Sequence, residues 1–327
     1  TVSPPIDAAT PNSIAPHPRG EEPKTNDCPL PPVVTLFAWD FDWTIVNCNS
    51  DEYVPSRFDV AAEERLRGLI RSLGPDRWHD CVASLINSCV AEGEGRLSRH
   101  EVCEAAASMP YLADVRRSLE DVAADAAQGQ VIVSDGNDEF ISAFLKKNDL
   151  ERCFTHGIET NFGIWEEGTR GGDAVHAFSV VHQSSKYGGH SCGRCPPNLC
   201  KSQVLRNILS RINRSSPENG DTSRPRIVYV GDGFNDACPA LHVLNEEDVL
   251  LARDGAKISD PNSRMGPQED AHAFRAQSGQ GKFAILSALK RAEREGLVPK
   301  CRVCTWNSGM ELRGLVRSLL DGTLTAA

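Results

Sequence analysis

The stretch VVTLFAWDFDWTIV, residues 33–46, begins as an apolar run and then places two carboxylates, Asp40 and Asp42, one residue apart. Its first seven residues have the length and composition of a buried β-strand. Unpaired carboxylates beside a hydrophobic core are costly. Their position at the end of the strand therefore requires compensating partners from other parts of the chain.

Two further strand-like segments end in the same way. VIV at 131–133 leads into SDGN at 134–137, and IVYV at 227–230 leads into GDGFND at 231–236. Helical patterns separate these segments, which predicts an α/β fold with a parallel sheet covered by helices on both faces. Ligands of such sheets bind beyond the carboxyl ends of the strands. The polar residues of all three segments are therefore expected to meet in one crevice.

The composition excludes some classes of protein. The net charge of −10 argues against a nucleic-acid-binding surface, which needs a basic stripe. No segment is apolar over the length that spans a bilayer. The N-terminal residues lack a signal pattern, which predicts a cytoplasmic protein, although the chain begins at Thr1 and the removal of a targeting segment stays open.

The chain divides into segments of different composition. Residues 1–31 are rich in proline and polar residues and are predicted to be a disordered tail. Helical patterns without strand signals run through 51–128, which predicts a helical cap inserted between two parts of the core, 32–50 and 129–327. Turn clusters within 161–198 predict a loop or hairpin insertion in the core.

The carboxylates that follow the strands are suited to several kinds of chemistry. Asp40 and Asp42, joined by Asp232 and Asp236 from another strand, could act as nucleophile and general acid/base, or could hold a hard cation such as Mg²⁺. The simpler interpretation is that each motif caps a strand end and pairs with basic neighbours. Any one motif alone is compatible with that.

The order of the motifs favours chemistry. DFDWT at 40–44, SDGN at 134–137, Lys201 at a helix start and GDGFND at 231–236 resemble, in order, the four motifs of the haloacid dehalogenase superfamily of phosphatases. The resemblance extends from about residue 33 to 251. It implies a three-layer, Rossmann-like parallel-sheet core with an inserted helical cap that closes over the site and selects the substrate.

The resemblance also implies roles for individual residues. Asp40 would be the nucleophile that forms an aspartyl-phosphate, and Asp42 the general acid. Thr44 and the backbone around it, together with Ser134, would hold the phosphoryl oxygens, and Lys201 would offset their charge. The cofactor would be Mg²⁺, bound to ligands drawn from the four aspartates Asp40, Asp42 (through its carbonyl), Asp232 and Asp236.

A narrower resemblance concerns the substrate. The strings DFDWTIVNCNSD at 40–51, HSCGRCPPNLCK at 190–201 and GDGFNDACPAL at 231–241 are similar to the phosphoethanolamine/phosphocholine phosphatase family. Relatives of that family also include pyridoxal-phosphate and pyrophosphate phosphatases. Phosphoethanolamine or phosphocholine is the expected substrate, and pyridoxal phosphate, pyrophosphate or phosphoserine are the alternatives. A catalytically silent relative that binds a phosphorylated ligand also stays open.

Two carboxylates lie beside the motifs without being needed for phosphoryl transfer. Asp51 and Asp135 could attract an ammonium head group. They could equally cap a helix and bind backbone at a strand end. With Thr44, Gly136 and Asn137 they form the predicted substrate-binding set.

Cysteines form two clusters in the sequence. Cys192 and Cys195 could join Cys301 and Cys304 in a tetrahedral zinc site, since each pair has the C-x-x-C spacing. A redox-sensitive thiol pair and plain loop packing with free thiols are the alternatives. None of these is needed for the phosphatase chemistry.

Overall fold

The computed structural model describes residues 29–91, 97–170, 173–186, 188–214, 224–254 and 284–324. The predicted disordered tail falls outside these ranges except for residues 29–31. The strands are β1 Thr35–Trp39, β2 Gln128–Asn137, β3 Ile158–Arg170, β4 Asp173–Val181, β5 Arg226–Gly231, β6 Val249–Arg253 and β7 Arg302–Trp306.

Helices precede or follow most strands. They are α1 Ser50–Ser56, α2 Ala62–Leu73, α3 Trp78–Ala91, α4 Arg99–Ala107, α5 Ala113–Ala123, α6 Asp138–Lys147, α7 Gln183–Lys186, α8 Lys201–Arg214, α9 Ala237–His242, α10 Ile285–Arg294 and α11 Gly309–Leu320. No helix in the described ranges is long and apolar enough to cross a membrane.

The seven strands form one sheet in the order β4-β3-β2-β1-β5-β6-β7. All neighbours are parallel except β3 and β4, which pair antiparallel. The apolar run that opens the sequence is the central strand β1, and its residues 36–39 are fully buried because helices cover both faces. The carboxyl ends of β1, β2 and β5 meet at one edge, as the sequence predicts.

Two hydrophobic clusters lie on opposite faces of the sheet. One contains Phe37 and Trp39 of β1 with side chains of α5, α6 and α11. The other contains Leu36 and Ala38 with side chains of α8, α9 and α10. The alternation along β1 thus fills both layers, and the three-layer, Rossmann-like α/β core is confirmed.

The insertion predicted at 161–198 contains a hairpin, since β3 and β4 pair along their length from Phe162 and Val181. The strand β7 was missing from the sequence prediction, which treated its residues only as part of a C-x-x-C pair. RVCTW at 302–306 is rich in β-branched and aromatic residues, a strand signal that was available in the sequence.

The predicted cap, 51–128, is divided between two surroundings. Helices α1 to α4 pack on one another, on α6 and on the hairpin strand β4. Helix α5 instead packs on α11 and β2, and Arg313 of α11 binds Asp121 of α5 at 2.9 Å. By its packing, α5 belongs to the helical layer of the core. The sequence prediction instead placed α5 in the cap, whose predicted boundary is at residue 128.

Candidate active site

The loop after β1 turns sharply beneath the sheet edge. The carbonyl of Phe41 accepts hydrogen bonds from the amides of Thr44, Ile45 and Val46. Trp43 has a φ of 57°, an uncommon conformation for a residue other than glycine, which indicates that its surroundings hold it there. Its carbonyl accepts a hydrogen bond from the buried guanidinium of Arg253 at the end of β6.

Lys201 compensates the buried charge of Asp40. Its Nζ lies 2.7 Å from Asp40 Oδ1 and 2.7 Å from Asp236 Oδ1, and the Lys201 side chain is inaccessible to solvent. Burial lowers the pKa of Lys201, but the Asp236 and Asp40 carboxylates outweigh burial and raise that pKa well above its ordinary value. Lys201 is therefore charged, and it explains how a carboxylate can end a central strand.

Burial also affects Asp40 itself. It raises the pKa of Asp40 well above the ordinary value, and the Asp236 carboxylate adds to the rise, whereas Lys201 lowers that pKa. A further cation beside Asp40 would favour the ionised form in the same way as Lys201 does.

Asp236 organises the site through both of its carboxylate oxygens. Oδ1 accepts hydrogen bonds from Lys201 and from the Tyr229 hydroxyl at 2.8 Å. Oδ2 accepts from the amides of Asp232 at 3.1 Å and Gly233 at 2.8 Å. A Cβ at Gly231 would lie 2.4 Å from Asp236 Cγ, so only glycine allows this approach.

Asp42 has different surroundings from Asp40. Its Oδ1 accepts from the Ser50 amide at 3.0 Å and its Oδ2 from the Ser50 hydroxyl at 3.1 Å, so the first cap helix fixes its orientation. Burial raises the pKa of Asp42 well above the ordinary value, and the Asp51 carboxylate raises it further. A carboxyl group that keeps its proton is suited to act as an acid.

The carboxylates at this edge suit a hard divalent cation. Oxygens of Asp40, Asp232 and Asp236 lie within 4.8 Å of one another, and all three residues are buried. Such an all-oxygen donor set is what Mg²⁺ prefers. Because the oxygens of Asp236 already accept four hydrogen bonds, Asp40 and Asp232 are the better direct ligands, and Asp236 orients the backbone of Asp232 and Lys201.

The other predicted phosphate contacts lie at the same edge. The Thr44 hydroxyl and the Asn137 Nδ2 are buried and have no hydrogen-bond partner within the described part of the chain. The Asn137 side-chain Oδ1 caps α6 by accepting a hydrogen bond from the Phe140 amide. Ser134 is buried, and its hydroxyl accepts from the Gly136 amide at 3.1 Å. Buried polar groups without partners are rare and suit a polar ligand.

Asn161 was missed by the sequence analysis. Its Nδ2 donates to the carbonyls of Asp135 at 2.7 Å and Gly136 at 2.9 Å, and its Oδ1 accepts from the Gln183 amide. This buried side chain holds the turn that follows Ser134. The pairing of β2 with β3, in which Asn137 lies opposite Asn161, brings it there, and no pattern in the sequence marks that contact.

A cavity of about 430 Å³ opens beside these residues. Asp51 lies at its wall, with Oδ2 accepting from Trp78 Nε1 at 2.7 Å, and Oδ1 is buried without a partner in the described ranges. His79 Nε2 donates to the Asp135 carbonyl at 2.9 Å. The Asp135 carboxylate accepts from Asn235 at 3.0 Å. No pattern in the sequence links Trp78 or His79 to Asp51.

A family model described as "Putative Phosphatase" matches residues 35–320 of the chain. The chain belongs to this family of haloacid dehalogenase-type phosphatases. The match covers the sheet, the cap and all four motifs, and the expectation of a phosphatase is confirmed.

Curated relatives of the phosphatase differ in the substrates that their names state. The chain is 28% identical to the mouse pyridoxal phosphate phosphatase PHOSPHO2, over 70% of this chain and 86% of that one. It is 28% identical to inorganic pyrophosphatase 2 of Arabidopsis thaliana, over 69% and 72% of the two chains. It is 29% identical to a thiamine phosphate phosphatase-like protein of the same plant, over 70% and 84%.

The predicted zinc ligands of the phosphatase do not come together. Cys192 and Cys195 cluster with Cys200 and Cys238, and their four sulfurs lie within 4.8 Å of one another. Cys301 instead packs in the hydrophobic layer below the sheet, where burial raises the pKa of its thiol to about 12. The predicted pairing with Cys301 and Cys304 is therefore wrong, because those two cysteines flank and enter strand β7.

Proposed function

We propose that the phosphatase hydrolyses a small phosphomonoester that carries a positive charge, with phosphoethanolamine or phosphocholine as the first candidates. The observation that carries this proposal is the buried Oδ1 of Asp51 at the wall of the cavity, which has no hydrogen-bond partner among the described residues. An ammonium group would supply the missing partner, and Trp78 offers an aromatic ring beside it.

In the first step, Asp40 attacks the phosphorus atom and forms an aspartyl-phosphate, while the bond to the leaving alcohol breaks. Asp42 gives its proton to the leaving oxygen, so that a neutral alcohol departs. The position of Asp42 supports this role, since Ser50 holds both of its oxygens and burial favours its protonated form.

In the second step, water attacks the phosphorus of the aspartyl-phosphate, and Asp42, now ionised, accepts the proton of the water. Inorganic phosphate leaves and both carboxyl groups return to their starting states. Lys201, Thr44 and Ser134 would hold the phosphoryl oxygens throughout. Mg²⁺, held by Asp40, Asp232 and the Asp42 carbonyl, would supply electrostatic stabilisation of the transferring phosphoryl group.

The charge of the cavity supports a cationic substrate. Asp51, Asp76 and Asp135 line it, beside Asp42, whose protonated form burial favours. Arg194, the one lysine or arginine among its described lining residues, pairs with Glu295. A cleft lined by carboxylates attracts cations and repels additional negative charge. Pyrophosphate, which carries no positive group, fits this cleft less well than an amino-alcohol ester does.

The names of the relatives favour a second set of candidate substrates. Pyridoxal phosphate and pyrophosphate are named in two of them, and thiamine phosphate, whose thiazolium ring is cationic, in a third. Phosphoserine also carries an ammonium group, but its carboxylate would face Asp51 or Asp135. These esters are the competitors against which the proposal is tested.

The test is phosphate release from phosphoethanolamine, phosphocholine, pyridoxal phosphate, thiamine phosphate, phosphoserine and pyrophosphate, with Mg²⁺ and with EDTA. An Asp51→Asn variant keeps the size of the side chain and removes its charge. We expect its KM for the preferred cationic ester to rise about 10- to 100-fold, equivalent to about 1.4–2.8 kcal/mol.

Hydrolysis of p-nitrophenyl phosphate, which has no cationic group, is the matched control and should change less than about threefold in Asp51→Asn. An equal loss of activity on both substrates would contradict the proposal that Asp51 binds the cationic group of the substrate. Selective hydrolysis of pyrophosphate by the wild type would replace the proposed substrate and keep the mechanism.

A further inference from the structure

The four clustered cysteines come from three separate parts of the fold. Cys192 and Cys195 lie in the loop before α8, Cys200 immediately precedes that helix, and Cys238 lies in α9. Their sulfurs all lie within 4.8 Å of one another, and Cys192 Sγ is 3.6 Å from Cys238 Sγ. Four sulfurs that surround one zinc ion tetrahedrally at about 2.3 Å are about 3.8 Å apart. The cluster therefore already has nearly the dimensions of a four-thiolate zinc site.

We propose that Cys192, Cys195, Cys200 and Cys238 bind one structural zinc ion. The C-x-x-C spacing of the first two and the contribution of all four positions by cysteine match closed structural sites, which have no open position for water. A four-thiolate tetrahedral set selects zinc or iron over the hard cations that the carboxylate edge suits. This proposal is independent of which phosphate ester the enzyme hydrolyses.

His190, the other candidate ligand in the loop, is already engaged. Its Nε2 donates to the Pro196 carbonyl at 2.9 Å, and its Nδ1 accepts from the Cys192 amide at 3.3 Å. Both ring nitrogens thus shape the loop that carries the first two cysteines. The Ser202 hydroxyl lies 2.9 Å from Cys238 Sγ and can donate to a thiolate there, as a supporting hydrogen bond around a metal site.

The position of the site connects it to catalysis. Cys200 is the residue before Lys201, and Cys238 is two residues after Asp236, so the ion would fasten the start of α8, which carries Lys201, to α9, which Asp236 directly precedes. The loop between Cys195 and Cys200 also forms one wall of the substrate cavity through Pro196, Pro197 and Asn198. The bound zinc ion would hold Lys201 and the cavity wall formed by residues 196–198 in place, without contacting the substrate.

A metal ion can reach the cluster from solvent. Cys192 is partly exposed, and it lines a second cavity of about 750 Å³ together with Ser191 and Arg194. Cys200 and Cys238 are buried on the other side of the cluster. This arrangement supplies an entry path and a dry interior, both of which a stable thiolate site needs.

The first measurement is the metal content of the full-length enzyme, purified without chelator and dialysed against excess Mg²⁺ so that the carboxylate edge is occupied. We expect one zinc per chain, released in step with the modification of four thiols by a mercurial reagent. Iron in place of zinc, absence of any transition metal, or recovery of the four cysteines as disulfides would each overturn the proposal.

Variants then test the ligand set. Cys192→Ser changes the most accessible of the candidate ligands and should weaken zinc affinity by at least about 10²-fold, measured by competition with a chromogenic chelator. The double variant Cys301→Ser with Cys304→Ser is the matched control and should keep its zinc. Loss of zinc from the control with retention in Cys192→Ser would contradict the assignment.

Cobalt substitution tests the metal site in the wild-type chain, so its result does not depend on whether a cysteine variant folds. The wild-type chain loaded with Co²⁺ should show the intense visible bands of tetrahedral cobalt and the near-ultraviolet charge-transfer band of thiolate ligands. A weak, octahedral-type spectrum without the thiolate band would mean that Co²⁺ binds only to carboxylates, and this would overturn the proposal.

Discussion

Asp40 and Asp42 are the same residue type two positions apart, and burial raises the pKa of both, yet Asp40 lies beside a cation and Asp42 beside a carboxylate. Asp40 lies 2.7 Å from the ammonium of Lys201, which favours its ionised form. Asp42 is held by the neutral Ser50 and lies near the Asp51 carboxylate, which favours its protonated form. The ammonium beside Asp40 suits that residue as the nucleophile, and the carboxylate beside Asp42 suits Asp42 as the acid.

This assignment predicts how Asp42→Asn responds to the leaving group. Nitrophenolate leaves without needing a proton, so the variant should still form the aspartyl-phosphate from p-nitrophenyl phosphate. It should then stall, because no base remains to activate water. We expect a rapid burst of about one nitrophenolate per enzyme and then a steady rate lowered by about 10²- to 10⁴-fold, measured by stopped flow. A slow release without a burst would contradict separate roles for the two aspartates.

Individual residues of the substrate cavity could be predicted only when they adjoin a motif. Asp51 and Asp135 stand next to recognisable strings, and the structure places both at the cavity wall. Trp78 and His79 meet Asp51 through the packing of α3 on α1, and their sequence carries no pattern for that contact. Asn161 likewise reaches its partners only because β3 pairs with β2.

Strand β6 contributes an anchor for the nucleophile loop. Arg253 at its end donates to the Trp43 carbonyl and, at 2.7 Å, to Asn47 Oδ1, and its guanidinium lies 5.0 Å from the Trp306 ring centre on β7. Strand β6 and its neighbour, the edge strand β7, thus hold in place a loop that follows the central strand. The uncommon backbone conformation of Trp43 depends on such a contact.

Arg253→Met should remove this anchor while keeping most of the apolar stem that packs on Trp306. Because it leaves two buried acceptors without their charged donor, we expect the free energy of unfolding to fall by about 2–4 kcal/mol, measured by urea denaturation. Arg291→Met is the control, since that side chain is 76% exposed in its pair with Glu295 and should change stability by less than about 0.5 kcal/mol. Equal stability of both variants would contradict the anchoring role.

Helix α3 covers the free edge of the sheet. Asn87 donates to the Phe178 carbonyl at 2.9 Å and accepts from the Phe178 amide at 2.7 Å, as a neighbouring strand would do. Strand β4 lies at the end of the sheet, where unpaired backbone groups would otherwise be exposed. This contact joins the cap to the hairpin of the core.

We expect Asn87→Ala to loosen the cap from the hairpin at a cost of about 1–3 kcal/mol, because a backbone donor and acceptor lose their partner. The direct measurement is hydrogen exchange, in which the Phe178 amide should exchange at least about tenfold faster. Ser84→Ala, at an exposed position of the same helix, should leave that rate unchanged. Protection of Phe178 that survives the loss of Asn87 would show that other contacts hold the cap.

On the scale of the whole molecule, the strand order brings motifs that are far apart in the sequence together in one site. Strands β1, β2 and β5 are adjacent and parallel, so residues from 40, 134 and 232 reach the same edge. Periodicity and motif order were sufficient to predict this arrangement. They could not predict where the cap ends, because α5 resembles the cap helices in pattern and differs only in packing on α11 and β2. The cytoplasmic location stays a prediction.

The cation site should be visible in the stability of the whole chain. Since a ligand that binds only the folded state stabilises it, Mg²⁺ at a hundred times its Kd should raise the free energy of unfolding by about 2.7 kcal/mol. Asp232→Asn should abolish this increment in thermal or urea unfolding. Asp76→Asn, a carboxylate at the cavity but outside the cluster, should retain it. Equal increments in both variants would place the cation elsewhere.

The measurement that tests the central claim most directly is chemical trapping of the aspartyl-phosphate. Enzyme that is acid-quenched during turnover and reduced with borohydride should carry homoserine at position 40, detected by peptide mass spectrometry, and Asp40→Asn should show none while remaining folded. Homoserine at another position, or steady phosphate release without any trapped product, would contradict Asp40 as the nucleophile.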